Sequence, residues 1–379
     1  MSSKIKIVFI KGFITPLGRE RYPRQDVVWE KLSKLFDIDI ISYNLYVSLE
    51  LKKAYIKYGF LLFLKVFSRL LKERPHILVT PSLPFLESII ALLIMKLLRR
   101  PIILKETHWY WPKTLTSRVL WPINLFLLKK ADLILTPGIR SKKYLESILN
   151  AQKSKIMIVP FYTSLLRITP EALRLSRNLR EKLRNKVVIL FFGRLIERKG
   201  VDYLIKAFAK LRNDFKDVIL VIAGDGDKKK ELISLCKKLE IMDSVLFTGF
   251  IPQKLKTVYF LLADIYVYPS ISTEIPEEWS LGVVEAMSVG KPVIVTTAVG
   301  SAPDVVINGV NGYIIPEKSV EALYIKLKKL VSSENLRNYM GLNSRRVIRK
   351  KFQYSHLIRG YVNAINLVLK SCYNSTTDV

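Results

Sequence analysis

The chain has 379 residues, half of them apolar, and a formal net charge of +30 at pH 7. That length supports two domains with their own cores, and the apolar content excludes an intrinsically disordered chain. Two cysteines far apart, Cys236 and Cys372, exclude a disulfide framework and a zinc site and fit a reducing compartment.

The charge narrows the partners. Such a field concentrates nucleic acid, anionic lipid or phosphorylated substrates, although a general lysine bias would give the same number. The excess leans toward the front half without forming a detachable basic tail. The opening MSSKIKIVFIKGF has too short an apolar core for a signal peptide. The longest apolar run, Leu83 to Leu98, is interrupted by Glu87 and Lys96. It falls short of the roughly 20 residues a spanning helix needs, so no transmembrane helix is expected.

Residues 4–10 (KIKIVFI) read as a buried strand, followed by a glycine-containing loop and the helical pattern DVVWEKLSKLF. DIDIIS, HILVT, PIILKET, ADLILTPG and KIMIVP follow as short strands alternating with helical stretches. The segment from Thr163 to Lys186 is polar, rich in Arg and Leu, and reads as a linker with a short helix. At Val187 the alternation starts afresh with VVILFFG, VILVIAG, SVLFTGF, ADIYVYPS, PVIVTTAVG and GYIIP. Strand–helix–strand repetition means parallel sheets covered by helices. The fold class is α/β, with two doubly wound, Rossmann-like domains facing each other across a cleft at the strands' carboxyl ends. The expected divisions are 1–165, a linker 166–186, a second domain 187–350, and a helical tail 351–379 that packs back on the first domain.

Two stretches carry chemistry. In FFGRLIERKGVDYLIKAF (191–208), Arg194 and Lys199 stand between a strand end and a helix N-terminus, punctuated by Gly193 and Gly200. Two cations there suit a diphosphate, although loop cations are as often merely solvated. In PEEWSLGVVEAMSVGKPVI (276–294), Glu277 lies in a loop and Glu285 on the following helix, with seven residues between them. The backbone N–H groups from Ser280 through Leu281 and Gly282 to Val283 would face an anion at the positive end of that helix. Alone, the glutamates also read as a helix-start acid and an exposed helix residue.

Together these stretches resemble the retaining glycosyltransferases of the GT-B fold, the large group called family 4. The resemblance rests on Gly193-Arg194-Leu195, Lys199-Gly200, Ala223-Gly224-Asp225-Gly226, Thr248-Gly249-Phe250, Pro269-Ser270, EEWSLGVVEAM (277–287), GKPVI (290–294) and NGVNG (308–312). It is close over most of 187–320 and architectural in the front domain. It implies that Arg194 and Lys199 hold the donor diphosphate and neutralise the leaving group. Glu285 would bind the ribose hydroxyls and Glu277 would sit by the transferred sugar, with the base against Phe250. His108, after the PIILKE strand, matches a histidine many relatives place near the sugar, or serves as a structural hydrogen-bonder. Gly12 stands where the family has a glycine pair, of which only part is present. Two departures stand out: Ser280 replaces a common glycine, and Val299-Gly300-Ser301 replaces a glycine pair.

The implied reaction moves a hexose from a UDP- or GDP-sugar to a lipid-linked or glycan acceptor with retention and without a metal cofactor. Asp37-Ile38-Asp39 and Asp225-Gly226-Asp227 read as incidental matches to a metal motif, since fixed cations can supply the same electrostatics. The alternatives are a nucleotide-sugar epimerase or phosphorylase on the same plan, a basic protein binding nucleic acid or membrane, and an inactive relative. No RNA- or DNA-recognition module is visible, so nucleic acid is not an expected partner. The stretch 51–74 interleaves apolar residues with seven Lys/Arg, and Leu83–Arg100 and Trp121–Lys130 repeat the apolar-then-basic pattern. An interfacial helix of this kind predicts peripheral attachment to an anionic membrane on its cytoplasmic face.

Overall fold

The computed structural model describes residues 5–15, 30–46, 67–81, 86–150, 155–160 and 166–374. The chain divides into two compact units, one of Met1–Phe161 with Tyr354–Val379 and one of Tyr162–Gln353.

The first unit is built on six parallel strands: β1 (Lys6–Thr15), β2 (Asp37–Tyr46), β3 (Ile77–Pro81), β4 (Ile102–Lys105), β5 (Leu133–Thr136) and β6 (Ile156–Ile158). Their order across the sheet is β2-β1-β3-β4-β5-β6. Helices α1 (Leu86–Leu97), α2 (Leu115–Lys130) and α3 (Ile139–Ile148) make the crossovers after β3, β4 and β5. The strands are nearly continuous apolar runs because helices cover a parallel sheet on both faces. Val8, Leu78, Leu104 and Ile134 are buried with Leu92, Met95 and Leu127 of the helices. β1 runs further than residues 4–10, so Gly12 lies inside the strand opposite Tyr43 of β2 rather than in a loop after it. The β-favouring Phe13, Ile14 and Thr15 carry the pairing on.

The second unit repeats the plan with β7 (Val187–Phe192), β8 (Val218–Ala223), β9 (Val245–Gly249), β10 (Ile265–Tyr268), β11 (Val293–Thr296) and β12 (Gly312–Ile315). All pairings are parallel in the order β12-β11-β10-β7-β8-β9. The segment expected as a linker is mostly α4 (Pro170–Lys182), which belongs to this unit. Thr169 caps it by accepting from the Ala172 N–H at 3.1 Å, and Arg180 pairs with Asp264 at 2.8 Å. Its polar, arginine-rich face therefore grips the sheet rather than spanning a gap. α5 (Val201–Asp214), α6 (Lys229–Lys238), α7 (Lys256–Leu262), α8 (Leu281–Ser288), α9 (Ala302–Val305), α10 (Val320–Val331) and α11 (Glu334–Lys351) complete it. On α5, Val201, Leu204, Ile205, Phe208 and Leu211 form the buried stripe of an amphipathic helix.

After α11 the chain returns to the first unit as α12 (Tyr354–Asn374). There Tyr361 meets Phe9 edge-on with ring centroids 6.0 Å apart. Each strand read from the sequence is present.

The strand order places the site. The chain lays β8 and β9 on one side of β7, then crosses to begin β10 on the other. The loops leaving β7 and β10 therefore diverge at a topological switch point, where open α/β sheets bind ligands beyond the strands' carboxyl ends.

Candidate active site

The loop after β7 turns on Gly200, whose φ of 58° is left-handed. A Cβ at this position would lie 2.3 Å from the Pro269 carbonyl oxygen, so glycine lets the two loops touch. The Ile271 N–H donates to the Arg198 carbonyl at 2.9 Å and pins them together. Lys199 is carried into the interior by this contact and is only 8% exposed.

There it meets Glu277. Lys199 Nζ is 2.6 Å from Glu277 Oε2, the Tyr268 hydroxyl donates to Glu277 Oε1 at 2.9 Å, and Lys199 also donates to the Tyr268 hydroxyl. Arg198 adds a second cation, with Nε 3.5 Å from Glu277 Oε2 and its guanidinium donating to the Pro276 carbonyl at 2.6 Å. Burial, and then the charge of Glu277, push the Tyr268 phenol well above its ordinary pKa, so it stays a donor. Two cations and a phenol around one buried carboxylate satisfy the requirement that a buried charge be paired.

Glu285 forms the second part. It sits in the middle of α8 and is 1% exposed, so it is not a solvated helix residue. Lys256, at the start of α7, lies 2.6 Å from its carboxylate. The Lys256 ammonium also stands over the rings of Phe192 and Phe260, at 5.3 and 5.9 Å from their centroids. Gly282 makes room for the packing behind: a Cβ there would lie 2.3 Å from the Tyr266 hydroxyl.

The start of α8 differs from the open row of donors expected. Ser280 Oγ accepts from the Val283 N–H at 3.4 Å, and the Ser280 N–H donates to Ser301 Oγ at 3.3 Å. An N-cap serine satisfies one of the first amides of its own helix, so neither Ser280 nor Val283 presents an open donor. The Glu277 backbone is fixed as well, its carbonyl accepting from the Gly300 N–H at 2.7 Å.

The structure thus brings Lys199, Glu277, Glu285 and Ser280 to the strand ends of the second unit. Arg194 is in the same loop but exposed, and Phe250 is exposed just past β9. It is Arg198 that pairs with Glu277. Arg198, Tyr268 and Lys256 were missed from sequence. The ERK triplet beside the expected Lys199 was the available hint for Arg198, and nothing local marked the other two. Asp225 is engaged locally, accepting from the Gly226 N–H at 2.9 Å and pairing with Lys229 at 2.8 Å.

His108 lies in the first unit, three residues past β4, and is nearly buried. Its Nδ1 is 2.6 Å from Glu106 Oε1, which also accepts from the Thr107 and His108 N–H groups. A carboxylate on Nδ1 fixes the ring orientation.

The chain is similar to known proteins in sequence and in fold. Residues 176–347 match the family model of glycosyl transferases group 1. An uncharacterized glycosyltransferase of Methanocaldococcus jannaschii is 28% identical over 241 residues, 63% of this chain and 59% of that protein. A GDP-mannose-dependent alpha-(1-6)-phosphatidylinositol monomannoside mannosyltransferase of Mycolicibacterium smegmatis is 29% identical over 166 residues, 43% of each chain. The chain thus spans about half the length of these curated relatives. Anabaena HepE, solved with UDP and with UDP-glucose, superposes at TM-scores of 0.72 and 0.70. Its identity is 18–19%, over 96% of this chain and 99–100% of that one. Two parallel six-stranded sheets flanked by helices are the fold of GT-B glycosyltransferases.

Proposed function

We propose that the protein is a retaining family 4 hexosyltransferase that takes its sugar from a nucleoside-diphosphate donor. The observation carrying this reading is the buried Lys199–Glu277–Tyr268 cluster beside Glu285 at the β7/β10 switch point. Lys199, with Arg194 at the rim, meets the diphosphate and takes up the charge that develops as the glycosidic oxygen departs. The Leu281 and Gly282 amides and the positive end of α8 add to that field. Glu285, oriented by Lys256, accepts from the ribose hydroxyls, and Phe250 flanks the base. Glu277 orients the hexose and offsets positive charge at its anomeric carbon, with His108 also assigned to the sugar. Gly12 is assigned to a close backbone approach to the phosphates.

In the reaction, an acceptor hydroxyl oxygen bonds to the anomeric carbon as the bond to the diphosphate oxygen breaks. The hydroxyl proton leaves with the diphosphate, and the stereochemistry is kept. Fixed cations supply the electrostatics, so a divalent ion is not required in this reading.

The donor is a UDP- or GDP-sugar: HepE was solved with UDP-glucose and the mycobacterial relative depends on GDP-mannose. The acceptor is lipid-linked or a glycan, in keeping with that relative's phosphatidylinositol glycoside and with the charge of +30. The enzyme would work peripherally at the cytoplasmic face of a membrane; among the described residues no helix is long and apolar enough to cross one. Of the stretch 51–74, where an interfacial helix was expected, residues 51–66 lie outside the described residues and 67–73 are helical.

A thermal-shift screen of nucleoside diphosphates and nucleotide sugars, followed by transfer assays in excess chelator with NMR of the product anomer, tests this. Stabilisation by one donor and a retained product support it. An inverted product, or release of an epimerised nucleotide sugar without an acceptor, would refute it.

A further inference from the structure

Helix α2 of the first unit carries an apolar face that stands exposed among the described residues. Leu115 is 79% exposed, Val119 68% and Phe126 45%, and Pro122 and Ile123 are exposed between them. At 3.6 residues per turn these five positions fall within an arc of about 100°. Asn124, Leu127 and Leu128 take the opposite, buried side, so the helix is already anchored to its sheet without the exposed stripe. A stripe of this kind costs solubility and marks an interaction surface.

The charge around it is of one sign. From Thr107 to Ala131 the sequence holds Lys113, Arg118, Lys129 and Lys130 and no Asp or Glu. Arg118, Lys129 and Lys130 project on the same side of the helix as the stripe, by the same periodicity. The Lys130 ammonium stands 6.0 Å from the centre of the Phe126 ring. Lys96 pairs with Asp132 at 2.9 Å and so brings the end of α1 beside the end of α2. That adds exposed Leu93 and Leu97, followed by exposed Arg99 and Arg100. Trp111, just before α2, packs on Trp121 of the helix with ring centroids 5.1 Å apart, and the Trp111 indole N–H is held by the Ser117 carbonyl at 2.6 Å.

We propose that the exposed face of α2, extended by the end of α1, is the surface by which this protein docks on an anionic lipid bilayer. The inference deepens the membrane reading above by naming the face, and it does not depend on the donor chemistry. The apolar stripe enters the boundary between headgroups and acyl chains while the basic rim stays among the phosphates. A second copy of the chain is a poor occupant, because face-to-face pairing would bring the two cationic rims together without an acid between them.

The test is flotation of the full-length protein with phosphatidylglycerol-containing and pure phosphatidylcholine vesicles at low and high salt. The variants are Val119→Glu/Ile123→Glu and Arg118→Glu/Lys129→Glu/Lys130→Glu, all at exposed positions, with circular dichroism as the folding control. The expected result is flotation with anionic vesicles at low salt, weakened by salt and reduced about tenfold or more by each variant. Turnover of a soluble or detergent-dispersed acceptor should be unchanged, which separates failure of this inference from failure of the proposed reaction. Wild-type flotation by both variants, or no flotation of the wild type, would overturn it. So would a dimer in sedimentation that the variants dissolve while the wild type ignores vesicles.

Discussion

Lys199 and Glu277 form a buried ion pair, 2.6 Å between Nζ and Oε2, that ties the loop after β7 to the loop after β10. The pair serves the scaffold, because a charge that loses its partner in that interior is strongly unfavourable. Removing one partner of a buried pair typically costs about 3–5 kcal/mol. Lys199→Ala is therefore expected to lower stability by about 3 kcal/mol and to weaken donor binding. Arg194→Ala, at an exposed position, should weaken donor binding while leaving stability within about 0.5 kcal/mol. Denaturant unfolding beside calorimetric titration of the donor separates the two, and equal stability losses would contradict the placement of these cations.

Tyr268→Phe deletes the hydroxyl between Lys199 and Glu277 and keeps the ring. One hydrogen bond to a charged group is worth about 1.5–3 kcal/mol, so transfer should fall at least about tenfold. Because burial and Glu277 hold the phenol protonated, no alkaline limb of the pH–rate profile should disappear in the variant. Rates measured from about pH 6 to 10 check both statements.

Gly282→Ala should destabilise the second unit by about 1–3 kcal/mol, since its Cβ would lie 2.3 Å from the Tyr266 hydroxyl. Tyr266→Phe should recover part of that loss by removing the clashing oxygen. A double-mutant cycle on denaturation midpoints reads the coupling, and additive effects would show that the clash is relieved elsewhere.

Lys291 gives a pH signature. Burial, with Arg180 and Arg345 nearby, lowers its amine from 10.5 to about 8 even though Asp264 opposes the shift. Between those values the folded amine is neutral while the unfolded one is protonated, so the unfolded state binds more protons. Stability should therefore rise with pH from about 8 to 10.5, by at most about 3 kcal/mol. Lys291→Met should flatten this rise, and urea midpoints measured across the window in both proteins test it.

The strands were legible in the sequence because each is a short β-branched and aliphatic run closed by Gly, Pro or a charged turn. Lys199, Glu277 and Glu285, all three buried, were singled out through the stretches that carry the family resemblance. Arg198, Tyr268 and Lys256 were not, because their partners are 79, 9 and 29 positions away. Those pairings exist only once β10 is laid against β7, and hydrophobic periodicity reports which face of a strand is buried but not which strand lies beside it. The extension of β1 through Gly12 and the attachment of α4 through Arg180 and Asp264 were hidden for the same reason: both are set by a neighbouring strand.

Ser280 and Ser301 meet across 21 positions, the Ser280 N–H donating to the Ser301 hydroxyl oxygen. The Ser280 hydroxyl oxygen in turn accepts from the Val283 N–H. Because the donor to Ser301 is a backbone amide, glycine at 280 would keep that bond and lose only the cap on Val283, whereas alanine at 301 would strand a buried N–H.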